Sequence, residues 1–546
     1  MKSAVPMFAA LFVAFHSPSV TADPTVRHTE VIGPFTGHDA PMHPVNQKPE
    51  PLLWYGTDLG FTYRHGGKIH FLFGDSWATE AYAPIEASTG SRFDDGFGTI
   101  DLAEWPDSSR ISSSNIPRIR IARNPGTNEA SAMDPDHAMD LGKTPMHGFS
   151  NGSDEFAIFN STKPQGCTTD AQCGDGQSCD IGLGYVGSRF DQQENLTLPC
   201  LDGSPLCLAQ TMVDDAGKVM EDSGLCVDEG STVWADTPAG RVAAAALVQR
   251  VGIRSKEDPR KYGDIRLWLT NRFVNVTART VERFVSENEG GEVEADYRNA
   301  RSADDAQRVF LWGRPGFISV NATGRTLGLY FAYADLPAGD DFEWDLHYYT
   351  GTKDGIPQFS PNEGDAQPLD LDAGPDGIQP KERHDLSQQM SVSWIEPLNK
   401  WVMFYGGGIT TLPSPPLPNC GVLEIFTRFE CKQVVVGNGA VRMRSADDPW
   451  GPWSAPQEVI AGGDPGVPGS GQYGPGGVLH HPACEADTCA THTRTQFYHP
   501  DEYGFFYSAN IIEEWTRAAD GGVEIYWNAS TWDPYRVVLL RTRIEP

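Results

Sequence analysis

The sequence is short of positive charge and of helical periodicity. Its 546 residues carry 42 Lys and Arg against 73 Asp and Glu, a formal charge of −31 and a pI of about 4.7. No basic stripe interrupts that imbalance, which excludes the electrostatic footprint expected of a nucleic-acid or anionic-membrane binder. Beyond the amino terminus no stretch is long and apolar enough to insert in a bilayer. GxSxG, HExxH and EF-hand patterns are absent, removing the common signatures of serine hydrolases, zinc proteases and calcium loops. The glycine-rich run 461–477 lacks the lysine and helix of a phosphate-binding loop. No cysteine pair has CxxC spacing and no His stands nearby at ligand spacing, which argues against zinc and leaves no metal ligand to name.

What is present begins with a charged residue, Lys2, an apolar run from Val5 to Phe15 and the small-residue end Val20-Thr21-Ala22. Residues 1–22 therefore read as a secretory signal, and the mature chain is expected to be exported, extracellular or periplasmic. Ten cysteines agree with export. Cys167, Cys173, Cys179, Cys200, Cys207 and Cys226 share one window, and Cys420/Cys431 and Cys484/Cys489 form two local pairs. An even, clustered set in an exported chain predicts disulfides, with the pairing among the six left open. Residues 165–228, polar and dense in Gly and Asp, read as a disulfide-rich insertion.

With 57 Gly, 41 Pro, 14 Trp, 17 Tyr and 26 Phe, the composition fits many short strands joined by turns. Residues 23–50 read as a polar, proline-rich amino-terminal extension with one strand at Thr29 to Ile32, and 78–150 as mostly loop. A unit then recurs: an apolar strand, a short turn, and a second strand ending in Gly, Asp or aromatic residues. GFTYRHGGKIHFLFGD, ISVNATGRTLGLYFAY, SVSWIEPLNKWVMFYGGG and QFYHPDEYGFFYSAN are four examples. About five such units over 51–546 predict an all-β, five-bladed β-propeller, with a β-sandwich as the rival. The only helix expected is Thr277 to Glu287. Arg536 to Ile544 is the candidate strand that closes the first blade. SADDPWGPWS (445–454) resembles the turn motif of propeller hydrolases and reads as a structural turn.

The first unit carries the chemistry. Gly66-Gly67 suits a type I′ turn, whose two central residues need φ > 0. With that loop, His65 faces Lys68, Tyr63 faces His70, and Asp58 faces Asp75 in a non-hydrogen-bonded pair with Cα atoms about 4.5 Å apart. Facing carboxylates repel, a cost tolerated at functional sites. They also push each other's proton affinities apart, which supplies an acid and a base or nucleophile for glycosidic cleavage. A bulge at Gly60 or Gly74 would break the pairing. Glu513 and Glu514 form a second acidic pair, of which alternation turns one inwards. Arg314 between Trp312 and Phe317 reads as a sugar-binding corner, and Trp77 is a stacking candidate that reads as core first. Trp394 and Trp515 read as core before stacking residues, and His147 and His384 as satisfied histidines before channel-lining ones.

GTDLG followed by GKIHFLFGDSW, then VFLWGRPGF, SVSWIEPLNKWVMFYGG and STWDPYRVVLLRTR, resembles a family long catalogued only as a domain of unknown function. Some members are bacterial endo-D-arabinanases, glycoside hydrolases acting on the D-arabinan of mycobacterial cell walls. The resemblance implies a five-bladed propeller, a polysaccharide substrate, and active-centre aspartates at Asp58 and Asp75. No cofactor is required. A structural calcium in the channel is compatible with such propellers, although no ligand set can be named. A monomer is expected. The alternative in a different class is a non-catalytic carbohydrate- or protein-binding propeller using the same mouth. A lyase would want a Tyr or His base beside a charge-neutralising group, and no such cluster stands out.

Overall fold

The computed structural model describes residues 23–36, 56–77, 92–122, 134–135, 143–161, short pieces between 166 and 243, 248–254, 261–287, 293–299, 308–314, 328–336, 344–371, 386–411, 435–462, 472, 477–479, 505–532 and 536–546, with a few positions inside these ranges left out. The signal segment, His384, Phe317 and most of the cysteines lie outside the described residues.

The protein is all-β and propeller-like. Among the described residues, five sheets of four to six strands follow one another along the chain. Their inner strands are Leu59–His65, Lys143–Ser150, Asn275–Glu287, Leu386–Ile395 and Phe505–Ala519. Each of these contacts the next, and the last contacts the first, so the inner strands form a closed ring. Separately, Gly166–Cys167, Gln177–Ile181 and Gly224–Asp228 form a three-stranded sheet in which Cys179 stands across from Cys226.

The first hairpin forms as its turn chemistry dictates. Gly66 and Gly67 adopt φ of 54° and 74°, and His65 pairs with Lys68 and Tyr63 with His70. Elsewhere three expectations are corrected. Asn275–Glu287 is a strand, not a helix: Val276 and Ala278 face one apolar seam while Thr277 and Arg279 lie on the other face, a period of two. Arg92–Asp101, within the stretch read as loop, is the third strand of the first sheet. Arg536–Glu545 does not close the first blade. It stays in the fifth sheet, whose outer strand is Thr25–Pro34 from the supposed amino-terminal extension. Val26 and Val31 pack that strand onto the apolar cluster around Trp527 and Leu540.

The seams between sheets are not alike. Apolar clusters fill the second–third (Met146, Phe156, Leu311), third–fourth (Phe310, Trp312, Trp401), fourth–fifth (Phe404, Trp527, Leu540) and fifth–first (Phe71, Ile512, Leu539) contacts. In the third–fourth seam the SADDPWGPWS turn is structural: Trp453 is buried, and Trp312 Nε1 donates to Pro449 O at 2.8 Å. Between the first and second sheets the described contacts are largely polar. Glu155 Oε2 accepts from Tyr63 Oη at 2.7 Å and lies 2.7 Å from His70 Nδ1, while His65 Nδ1 lies 2.8 Å from Ser150 Oγ. Tyr63 lies over Gly148, where a Cβ would come within 2.3 Å of the ring.

A polar seam is sensitive to loss of one partner, because the groups left behind remain buried. Glu155→Ala should therefore destabilise by about 2–3 kcal/mol, read as a lower denaturant midpoint at unchanged slope. Glu104→Ala, which removes an exposed pair with Arg120, should cost less than about 1 kcal/mol. Equal effects would refute the assignment of Glu155 as a seam residue.

Candidate active site

Asp58 sits immediately before a backbone kink. Leu59 and Gly60 both take left-handed φ, 63° and 69°. Glycine does so freely, but a leucine there is strained. Pairing runs Leu59 to Phe73 and then Phe61 to Leu72, so Gly60 is the extra residue of a bulge. A Cβ on Gly60 would lie 3.0 Å from Asn528 Oδ1 and 3.1 Å from Val537 Cγ1, so glycine is needed for space as well.

The kink is held by the fifth sheet. Leu59 O accepts from Ser508 Oγ at 3.2 Å, Asn510 Nδ2 at 3.0 Å and Ser530 Oγ at 3.3 Å. Gly60 O accepts from Asn528 Nδ2 at 3.0 Å. All four donors belong to buried residues. The fifth sheet kinks at the same level: Tyr507 pairs with Ser530 and Asn510 with Asn528, and Ser508 between them has φ 50°. That offset brings Tyr507 Oη to 2.8 Å from Asp58 Oδ2. On the other side Gly74 N donates to Asp58 O at 3.1 Å, and a Cβ on Gly74 would come within 2.4 Å of Asp58 Oδ1. Only glycine at 74 lets the carboxylate pack there.

These kinks overturn the expected facing pair. Asp58 stands opposite Gly74, not Asp75. Gly74 is itself a bulge, after which Asp75 pairs with Asp95 on the next strand. The Gly60 bulge shifts the register at the open end of the hairpin while leaving it intact near the turn, and the Gly74 bulge offsets the pairing with the third strand. Asp75 and Trp77 are placed by their backbone alone, in the strand Lys68–Trp77 with Trp77 paired to Arg92.

Of the other expected site residues, Trp312 and Arg314 are fully buried at 0% exposure. Trp312 is a seam residue and offers no face to a sugar. Arg314 pairs with Asn275 at the end of the strand Arg308–Arg314, and burial pushes its guanidinium down to about 9. Trp394 and Trp515 are core. Glu513 and Glu514 are both partly buried, since pairing jumps from Ile512–Tyr526 to Arg517–Glu524 and the extra residues break the alternation. They lie six or seven positions along the strand from Tyr507, roughly 20–23 Å of extended chain at about 3.3 Å per residue. The structure thus separates them from Asp58.

Glu513 belongs to an axial cluster that sequence reading did not single out. Arg279 Nη1 lies 3.1 Å from Glu513 Oε2, and Arg279 Nε donates to Val392 O at 3.1 Å. Ser393 Oγ donates to Glu513 Oε2 at 3.1 Å. One guanidinium thus links the inner strands of the third, fourth and fifth sheets. His147 of the second sheet feels it too: burial, then the Arg279 charge, pushes its imidazole down to about 3, and Nδ1 donates to Gly148 O at 2.8 Å. This histidine is neutral. A calcium at this level would sit against a guanidinium, and among the described residues no group of three or more His, Cys, Asp or Glu could hold a metal. The residues present do not fit the ion here.

Comparison with known proteins finds no matching family model and no matching curated protein. Among solved structures, a proposed hydrolase from Bacteroides ovatus is 11% identical with a TM-score of 0.36, covering 90% of this chain and 86% of that one. A GH43 beta-xylosidase/alpha-arabinofuranosidase from a compost metagenome, in complex with xylotriose, is 9% identical with a TM-score of 0.32, covering 95% and 94%. An alpha-L-arabinofuranosidase from Podospora anserina in complex with cellotriose is 8% identical with a TM-score of 0.29, covering 96% and 98%. Likenesses this distant leave the geometry to speak for the site.

Glu514 has a consequence for stability. Burial, then the neighbouring Glu513 charge, raises its carboxyl to about 7 from an ordinary 4.5. The folded state holds that proton more tightly than the unfolded chain. The stability this contributes is full below about pH 4.5 and is lost as pH rises through about 7. Glu514→Gln should therefore flatten the fall in thermal midpoint across that window, leaving the low-pH midpoint nearly unchanged. Identical pH profiles for variant and parent would rule this out.

Proposed function

We propose that the chain is an exported glycoside hydrolase, built as a five-bladed propeller and cleaving a furanosidic polysaccharide such as arabinan in the manner of an endo-D-arabinanase. Asp58 is its catalytic carboxylate, and Asp75, one residue past the glycine that faces Asp58, is the second. The five-bladed reading draws on five successive sheets and the closed ring of inner strands. The substrate class draws on the resemblance carried by GTDLG and GKIHFLFGDSW.

One observation carries the site. Two left-handed non-glycine residues, Leu59 and Ser508, meet at the Asp58 level, Leu59 held by buried side chains of the fifth sheet and Ser508 by Asn510 of its own strand. Strain of this kind costs on the order of 1–3 kcal/mol per residue and persists where surrounding structure over-determines it. It is concentrated around a partly exposed carboxylate at the start of an inner strand, the kind of group that can serve as acid, base or nucleophile.

Asp58→Asn and Asp75→Asn should each leave the thermal midpoint within a few degrees and reduce sugar release from a glycan panel that includes arabinogalactan by about a thousandfold or more. Full activity in both variants would sink the site. Binding of a glycan by the parent protein without product would move the reading to a non-catalytic propeller.

A further inference from the structure

We propose that Tyr507 is a positioning residue that holds Asp58 as the base or nucleophile of the pair rather than its acid. This rests on the hydrolase reading above and assigns a role within it. Tyr507 Oη lies 2.8 Å from Asp58 Oδ2. An ordinary phenol keeps its proton to about pH 10, far above a carboxyl group, so the phenol donates and the carboxylate accepts. A donated hydrogen bond stabilises the charged form of the acceptor. It also fixes the rotamer, since Oδ2 is bound to one sheet while Oδ1 lies over Gly74 of another.

The geometry is built for this contact. Tyr507 precedes left-handed Ser508, the turning point of the bulge in its strand. The Ser508 hydroxyl bonds Leu59 O, and Asn510 Nδ2 bonds both Leu59 O and Ser508 O, at 3.0 and 2.7 Å. The two kinks therefore fix each other, and with them the distance between phenol and carboxylate. Tyr507 is 7% exposed, so little solvent competes for its proton. Among the described residues, three strands bear titratable residues near Asp58. The fifth sheet contributes Tyr507, Lys68–Trp77 contributes Asp75, and Arg92–Asp101 contributes Asp95, which is buried and paired to Asp75. Asp58, held by a donor, takes the ionised role, which leaves the protonated role to a group on the outer strands. Asp75 is the group the reading above supplies.

The test is the pH dependence of kcat/KM for sugar release from arabinogalactan. Tyr507→Phe removes one oxygen and should lower kcat about tenfold or more, change KM less than twofold, and move the acid limb up by about one pH unit. Site-specific 3-fluorotyrosine at 507, a stronger donor in the same shape, should move that limb down. A substrate-free readout is the 13C carboxyl signal that disappears in Asp58→Asn. It should titrate at higher pH in Tyr507→Phe than in the parent. A folded Tyr507→Phe protein with unmoved acid limb and unmoved carboxyl titration overturns this proposal while Asp58→Asn still inactivates. If Asp58→Asn keeps full activity, the catalytic reading itself falls, and the carboxyl titration still decides whether Tyr507 holds the anion.

Discussion

The carbonyl of Leu59 is the point on which the architecture turns. It lies in the first sheet, yet three side chains of the fifth sheet donate to it, and a fourth donates to its neighbour Gly60. A buried neutral hydrogen bond is worth roughly 1 kcal/mol net. Four of them are of the size needed to offset left-handed Leu59 and Ser508, at on the order of 1–3 kcal/mol each. The same bonds perform two tasks. They join the last sheet to the first at the start of the first inner strand, and they bend that strand so that Asp58 meets Tyr507 instead of Asp75.

Further along the ring, charge takes over from backbone geometry. Arg279 reaches the fourth and fifth sheets and lies close enough to the second to depress His147. Glu513 is paired with Arg279, and the second carboxyl, on Glu514, is driven towards its neutral form by burial and then by the Glu513 charge. Together with the polar seam at Glu155, the axis ties sheets together by a few directional contacts where apolar area is small. The four apolar seams rely instead on large interlocking rings such as Trp312, Trp401 and Trp527. Directional contacts define register, whereas apolar seams tolerate sliding, so the polar ones are where geometry relevant to chemistry can be held.

Much was legible before any fold was in view. The Gly66-Gly67 turn, the pairs beside it, the all-β class and several hairpins follow from local rules of turn chemistry and alternation. The site was legible only in part. Asp58 stood out by its place in the hairpin, but its partner was misread, since Gly60 could be an ordinary strand residue or a bulge. Arg314 and Trp312 looked like a binding corner because polar and aromatic residues at a strand end suit either a mouth or a seam. Burial distinguishes these, and burial is a property of the neighbours. Ser508, Asn510, Asn528 and Ser530 left a faint trace, as small polar residues inside apolar strands, without indicating what they would hold.

Local sequence was enough for several hairpins, the tight first turn and the acidic, aromatic-rich, β-rich character of the chain, because these depend on residues within a few positions of one another. Tertiary structure decided the register at Asp58 and the separation of Glu513 and Glu514 from it. The reason is distance along the chain. The groups that select the bulge at Leu59 and Gly60 lie 449 to 471 positions away from Leu59. Only closure of the ring brings them within a hydrogen bond's reach.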